Sequence, residues 1–380
     1  MSSFRAIFAA LYFFTFNAFA SNMPASTVAI LENLDLNPDI LKNLDAELAV
    51  PVSWIEGSKQ EEALRISYVI AEKHFEKMVA PFRERYPSVQ LQYTRGVGAG
   101  RAIKPLAAWK NGNFSVDIVG GFGSAAAEYL KADALHPIAE LPAFASVDDS
   151  LKDANGFWAG AQLAHWCMAY NIDKVNKTEL PDSWLELVKP GNALINGRVG
   201  MGSHAHLWLI SLWGALGENT MEETFLPGIF ENLKPQLRKE GINGLMKFAA
   251  AGEFDVSIPA AAYRVAIQVK NGLPLALHCP SPVPRVFTMT GIFRDTPRIN
   301  SALLFENWLL SKEGQLAQLS AVGVAPTHKE LQSVEFFAYG NELAQKPIAL
   351  RSLDLVSEEL PKLYKAWKVF WKENNGPVKK

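Results

Sequence analysis

Leu64–Ile70 (LRISYVI), Val89–Tyr93 (VQLQY) and Ser115–Val119 (SVDIV) decide the fold. Each is a short strand-like run, and helical patterns separate them: Lys73–Tyr86 between the first and second, about Ala102–Asn111 between the second and third. Alternation of this kind predicts a mainly parallel sheet with helices on both faces, because a parallel crossover needs a connection of about helix length. Such sheets bind ligands outside the carboxyl ends of their strands. The turns there are Arg95–Arg101 (RGVGAGR) and Gly120–Ser124 (GGFGS). In the first, glycines precede a helix, where a missing Cβ lets backbone N–H groups approach an anion and the helix dipole favours negative charge. Gly98, Ala99, Gly100 and Arg101 from one turn, with Gly121 and Phe122 from the other, are candidate ligand contacts. A glycine-rich turn without a ligand is the alternative.

The arrangement returns downstream. Gln162–Asn171 (QLAHWCMAYN) reads as a strand, Trp184–Val188 as a helix and Arg198–Met201 (RVGM) as a strand, before Gly202–His206 (GSHAH) and the apolar helix Leu207–Leu216. This second small-residue turn adds Ser203 and His204. Phe254–Ile258 and Ala260–Lys270 form a further strand–helix pair, followed by the strand Pro274–Cys279. Pro280–Pro284 (PSPVP) cannot continue a central strand and reads as a return crossing. Beyond it come the helix Asn300–Leu310, another opening near Lys312–Gln315, and a polar-faced terminal helix around Leu360–Lys372. Upstream, Ser21–Glu62 is an extension with helical patterns, expected to be a packing arm.

Residues 1–20 carry the pattern of an export signal: Arg5, the apolar run Ala6–Phe16, and Ala18-Phe19-Ala20 as a small-x-small cleavage pattern. The run is about half of the ~20 residues a spanning helix needs, so a membrane anchor is disfavoured. No cysteine stands at the cleavage point for a lipid anchor. The expected location is the periplasm. Removing 20 of 380 residues leaves 360, more than one core usually serves, so two lobes are expected. The formal charge of −2 becomes −3 without Arg5 and gives no reason to expect nucleic acid or an anionic membrane as partner. Cys167 and Cys279 are too few for a disulfide scaffold. In an oxidising compartment they form one bridge or stay as two buried thiols.

Four segments carry a resemblance. Phe82–Pro87 (FRERYP) precedes the second strand, Val116–Gly120 (VDIVG) is an aspartate–aliphatic–glycine strand end, Pro181–Leu187 (PDSWLEL) is a proline–x–serine–tryptophan helix start, and Asn307–Gln315 (NWLLSKEGQ) is followed by Gly323–Pro326 (GVAP). In this order they resemble the periplasmic solute-binding proteins of ABC importers, in particular the ferric-iron binders and their organic-ligand relatives. The resemblance implies a two-lobed α/β type 2 periplasmic-binding fold, each lobe a mainly parallel sheet flanked by helices, with the ligand cleft between them. The expected division is residues 63–161 plus 283–380 for the first lobe and 162–282 for the second. The implied partners are a small solute, an inner-membrane ABC permease and its ATPase. The protein is expected to act as a monomer, without cofactor.

The chain departs from the iron binders in its ligand set. Their adjacent tyrosine pair corresponds to Ala260–Arg264 (AAAYR), with Tyr263 followed by a cation. Glu72 and His74 lie near the expected metal-binding histidine, but Gly121-Phe122 stands where a carboxylate is wanted. Arg101, Arg264 and the two small-residue turns instead favour a carboxylate, phosphate or phosphonate, since guanidinium forks and oriented amides both suit oxyanions. The tryptophans Trp158, Trp166 and Trp208 are expected to pack. His204 and His206 form an H-x-H pair that suggests zinc or hydrolysis, yet no third ligand or serine elbow accompanies it. No metal is assigned and no catalytic residue is expected.

Overall fold

A computed structural model describes residues 23–96, 100–204, 207–332 and 338–377. The export segment and the candidate contacts Gly98 and Ala99 lie outside the described residues. The strands are β1 (Leu64–Tyr68), β2 (Leu91–Arg95), β3 (Ile118–Gly120), β4 (Ala159–Asn171), β5 (Val199–Gly202), β6 (Gln236–Arg238), β7 (Val256–Ala261), β8 (Leu275–His278), β9 (Val283–Ile292) and β10 (Ile348–Leu350). Their order is β2-β1-β3-β9-β4-β7-β5-β6, with β10 beside β9 and β8 beside β4. The expected parallel pairing holds at both flanks, β2–β1–β3 and β7–β5–β6. The middle is antiparallel, because β4 carries the chain from one half to the other and β9 brings it back.

Two large hydrophobic cores result, with a small cluster of Cys167, Ala262, Cys279, Val283, Tyr339 and Leu343 beside them. The first gathers Leu64, Ile66, Phe75, Phe82 and Ile118 with Phe305 and Trp308. The second gathers Trp184, Trp208, Phe225, Met246 and Val256. The terminal helix Leu353–Glu373 buries Leu363, Trp367 and Trp371 in the second core, although the expected grouping set residues 283–380 with the first. Its apolar residues at 360, 363, 367 and 371 make one helical stripe, and the helix Leu209–Leu216 presents the surface it covers.

The arm upstream of β1 fastens the first lobe. Glu47 accepts from the backbone N of Lys312 at 2.8 Å and meets His328 Nε2 at 2.9 Å, while its carbonyl accepts from Asn307 Nδ2. Glu61 caps the helix Ile299–Leu310 by accepting from the N–H groups of Asn300 and Ser301. Residues of the NWLLSKEGQ stretch do the same work inward: Gln315 Nε2 donates to the carbonyls of Ala161 and Leu309. The Cys167–Cys279 pair is bridged, across the β4–β8 ladder whose next rung is Met168–His278.

Candidate functional site

The register fixes where the strand ends meet. In the first lobe β1, β2 and β3 are parallel and end at Tyr68, Arg95 and Gly120, with Gly120 level with Thr290 of β9 and, through β9, with Ala159 of β4. In the second lobe β5, β6 and β7 end at Gly202, Arg238 and Ala261, with Ala261 level with Trp166 of β4. The two sets of carboxyl ends therefore face each other along β4. They are separated by Gly160–His165, about 20 Å at ~3.3 Å per residue. This stretch of β4 and Arg285–Met289 of β9 form the floor between the rims.

On the first rim, Arg101 sits in the first turn of the helix Gly100–Lys110, half-buried, and its Nε donates to the Gly121 carbonyl at 2.9 Å. Burial lowers its pKa. Gly120 admits no side chain, since a Cβ there would lie 1.7 Å from the Tyr68 ring. Two expectations for this turn are corrected. The Gly121 N–H is already given to the Met289 carbonyl at 2.7 Å, so it is not offered to a ligand. Phe122 is fully buried with its ring 4.7 Å from that of Tyr129, so it packs in the core and its side chain lines no cleft. A strand ending against a packed helix turns its next large apolar side chain inward.

On the second rim, Ser203 and His204 follow β5, half-buried, and a Cβ on Gly202 would lie 3.3 Å from His204 Nδ1, so the imidazole folds back over the turn. Tyr263 and Arg264 open the helix Ala262–Lys270 after β7. The Tyr263 hydroxyl accepts from Arg264 Nε at 2.8 Å, and Arg264 Nη1 donates to Asn243 Oδ1 at 3.3 Å. The partner His206 of the H-x-H pair lies outside the described residues. Among the described residues no group of three or more His, Cys, Asp or Glu is placed to hold a metal ion. The Trp208 ring packs at a tilt 4.9 Å from that of Trp184, and Trp158 stacks 5.7 Å from Phe287, as packing residues.

The floor holds residues that the motifs did not point to. Arg285 donates from Nε to His165 Nε2 at 3.0 Å. Burial, together with the Arg285 charge, holds the His165 pKa down at about 3, so the imidazole is neutral and accepts the bond without cancelling the guanidinium charge. The Tyr339 ring meets His165 edge-on at 5.9 Å. Arg351 follows β10, its N–H bonded to the Arg285 carbonyl at 2.9 Å. Burial, then the charge of Arg101, push its pKa down to about 10.

The arginines sort by place. Arg65, Arg83, Arg85, Arg198, Arg238, Arg294 and Arg298 each form an ion pair with a carboxylate. Among the described residues Arg95, Arg101, Arg264, Arg285 and Arg351 form none, and all five stand at strand ends or on the floor, where Arg238 at the end of β6 is the exception, paired with Glu240 and Glu253. Hollows lie elsewhere: about 310 Å³ beside Arg65 and Gln92, about 550 Å³ between Met23–Ala25 and Glu84–Tyr86, and about 470 Å³ between Ser211 and Ser352–Glu359. None includes a residue of either rim.

A family model for the bacterial extracellular solute-binding proteins matches residues 77–346. No curated protein matches the chain in sequence. Iron-bound HitA from Pseudomonas aeruginosa is similar at a TM-score of 0.67 and 19% identity, over 82% of this chain and 99% of that one. The apo ferric ion-binding protein A of Pasteurella haemolytica is similar at 0.67 and 16%, over 84% and 100%. The periplasmic binding protein P5PA is similar at 0.61 and 21%, over 81% and 99%. These likenesses bear out the α/β periplasmic-binding fold, with mixed sheets. Among the described residues no helix is long and apolar enough to cross a membrane.

Proposed function

The chain belongs to the bacterial extracellular solute-binding proteins, non-enzymatic components of transport, and from that premise we propose that it captures an anionic organic solute for an ABC importer. The solute carries a carboxylate, phosphate ester or phosphonate. It is held in the periplasm between the rims of residues 63–161 and 162–282, and closure of the lobes commits it for delivery to the inner-membrane permease and its ATPase. Arg101 and the Gly100 turn act from the first lobe. Ser203, His204, Tyr263 and Arg264 act from the second.

The observation that carries this reading is the sorting of the arginines. A buried or half-buried guanidinium without a carboxylate retains its desolvation cost, and an incoming oxyanion supplies the missing partner. Iron, the cargo named for most of the structural neighbours, is disfavoured by the same residues. The single tyrosine at the AAAYR stretch accepts a hydrogen bond from a cation, and a guanidinium beside a trivalent metal ion is repelled.

Native mass spectrometry of the protein purified from its host identifies a co-purifying mass, and calorimetry with that compound tests the site. Arg264→Ala is expected to weaken binding by about 2 kcal/mol, the worth of a charge-assisted contact. Unchanged affinity removes Arg264 from the site. A visible tyrosinate-to-iron band on adding ferric ion, lost in Tyr263→Phe, replaces this reading with iron binding.

A further inference from the structure

We propose that Arg351, with Arg101, forms the seat for the oxyanion of the solute against the Gly121–Ser124 turn. The inference rests on the anionic-solute reading and assigns its charge contact to a residue outside every motif. Arg351 is fixed on both sides by its backbone. Before it, β10 lies in parallel register on β9, with Leu350 opposite Arg285. After it, Ser352 caps the terminal helix by accepting from the Leu355 N–H at 3.2 Å. The side chain has little freedom of origin, so its charge is directed by the fold.

Its direction is toward the turn after β3. A Cβ placed on Gly123 would lie 3.8 Å from Arg351 Nη2, an ordinary contact distance, so the guanidinium lies directly beside this turn. Arg101 reaches the same turn at Gly121, spending its Nε on the Gly121 carbonyl and keeping its terminal nitrogens for another acceptor. Two guanidinium groups thus flank one glycine-rich turn, and neither has a carboxylate among the described residues. The charge of Arg101 disfavours that of Arg351. A bound oxyanion would accept from both forks and relieve that repulsion. Tyr364, reaching in from the terminal helix, is the neutral polar neighbour of Arg351. The terminal helix touches Gly123–Ala125 and Ala126–Lys131 of the first lobe while its core face packs in the second. An anion seated here therefore contacts the first lobe and the segment that ties the second lobe to it.

Calorimetric titration of the full chain with inorganic phosphate, glycerol 3-phosphate and succinate tests the seat, with wild type compared against Arg351→Gln, Arg351→Lys and Arg264→Ala. At least one probe is expected to bind, Arg351→Gln to weaken it roughly tenfold to a hundredfold, and Arg351→Lys to recover part of the loss. Preference for the two phosphates or for succinate distinguishes a phosphoryl from a carboxylate group. On the wild type, phenylglyoxal labelling read by mass spectrometry is expected to slow at Arg351 and Arg101 when the probe is bound, while Arg95 labels as before. A folded Arg351→Gln that binds as wild type does, or unchanged labelling of Arg351 at saturation, overturns the proposal. If Arg264→Ala still weakens binding in that case, the anionic-solute reading stands without it. Failure of all three anions to bind the wild type counts against both.

Discussion

Arg298 and Arg351 are the same side chain in two regions, and they have opposite surroundings. Arg298, in the first lobe, makes a two-pronged contact with Asp117 through Nε at 2.7 Å and Nη2 at 2.8 Å, and Asp117 also accepts from Thr296 Oγ1 and the Arg65 N–H. Arg351, on the floor between the lobes, has another arginine and a tyrosine for charged and polar company. Where a buried charge serves the fold, its partner is built in. On the anion-seat proposal, Arg351 lacks such a partner because the solute supplies it, at some expense in stability.

The comparison breaks first at Asp117. Asp117→Ala strands the Arg298 guanidinium in a dry core and is expected to cost about 3–5 kcal/mol, read from urea unfolding; a loss under 1 kcal/mol would mean that the pair is not structural. The next effect is at Glu306, a carboxyl fully buried behind the first rim, with Thr290 Oγ1 at 3.0 Å and a pKa pushed up by burial to about 8. Because its folded pKa lies above the unfolded one, the folded protein keeps a proton that the unfolded chain releases. Stability is thus full at pH 4 and below, falls as pH rises from about 4.5, and levels above about 8. Glu306→Gln is expected to remove that decline and to stabilise the protein at pH 8 by roughly 2–4 kcal/mol, seen as a flat Tm against pH. A decline of the same size in the variant would place its origin elsewhere. The smallest effect sharpens the contrast: Arg101→Ala is expected to leave unfolding free energy within about 1 kcal/mol of wild type, because the lost contact and the lost repulsion offset each other, while solute binding weakens. A large drop in Tm would make Arg101 a structural residue.

Legibility followed the range over which a position is determined. Arg101, Ser203 and Tyr263 stand just after strands whose runs and following helices announce them, so their place on a rim was readable from a dozen residues around each. Phe122 shows the limit of such reading. Its position at a strand end was right, but whether its ring turns to the cleft or to Tyr129 depends on a helix packed behind it. Arg285 and Arg351 had no local announcement. β10 is a three-residue strand defined by pairing with β9, more than 60 residues earlier in the sequence, and β6 is as short and passed unnoticed for the same reason. The motif segments owe their visibility to packing. Asp117 of the VDIVG strand holds Arg298, and Gln315 of NWLLSKEGQ ties its helix to β4, so what identifies the fold says little about the cargo.

The bridge between Cys167 and Cys279 spans 112 positions of sequence at the neck of the second half of the molecule. It turns the intervening chain into a closed loop hung from one knot. Tension applied at the two chain ends, once the terminal helix has peeled away, runs through the sulfurs and past that loop, so its domain stays folded while the other is drawn out. In a single-molecule pulling trace the oxidised protein would lengthen by the contour outside residues 167–279, and a reductant would release the remainder.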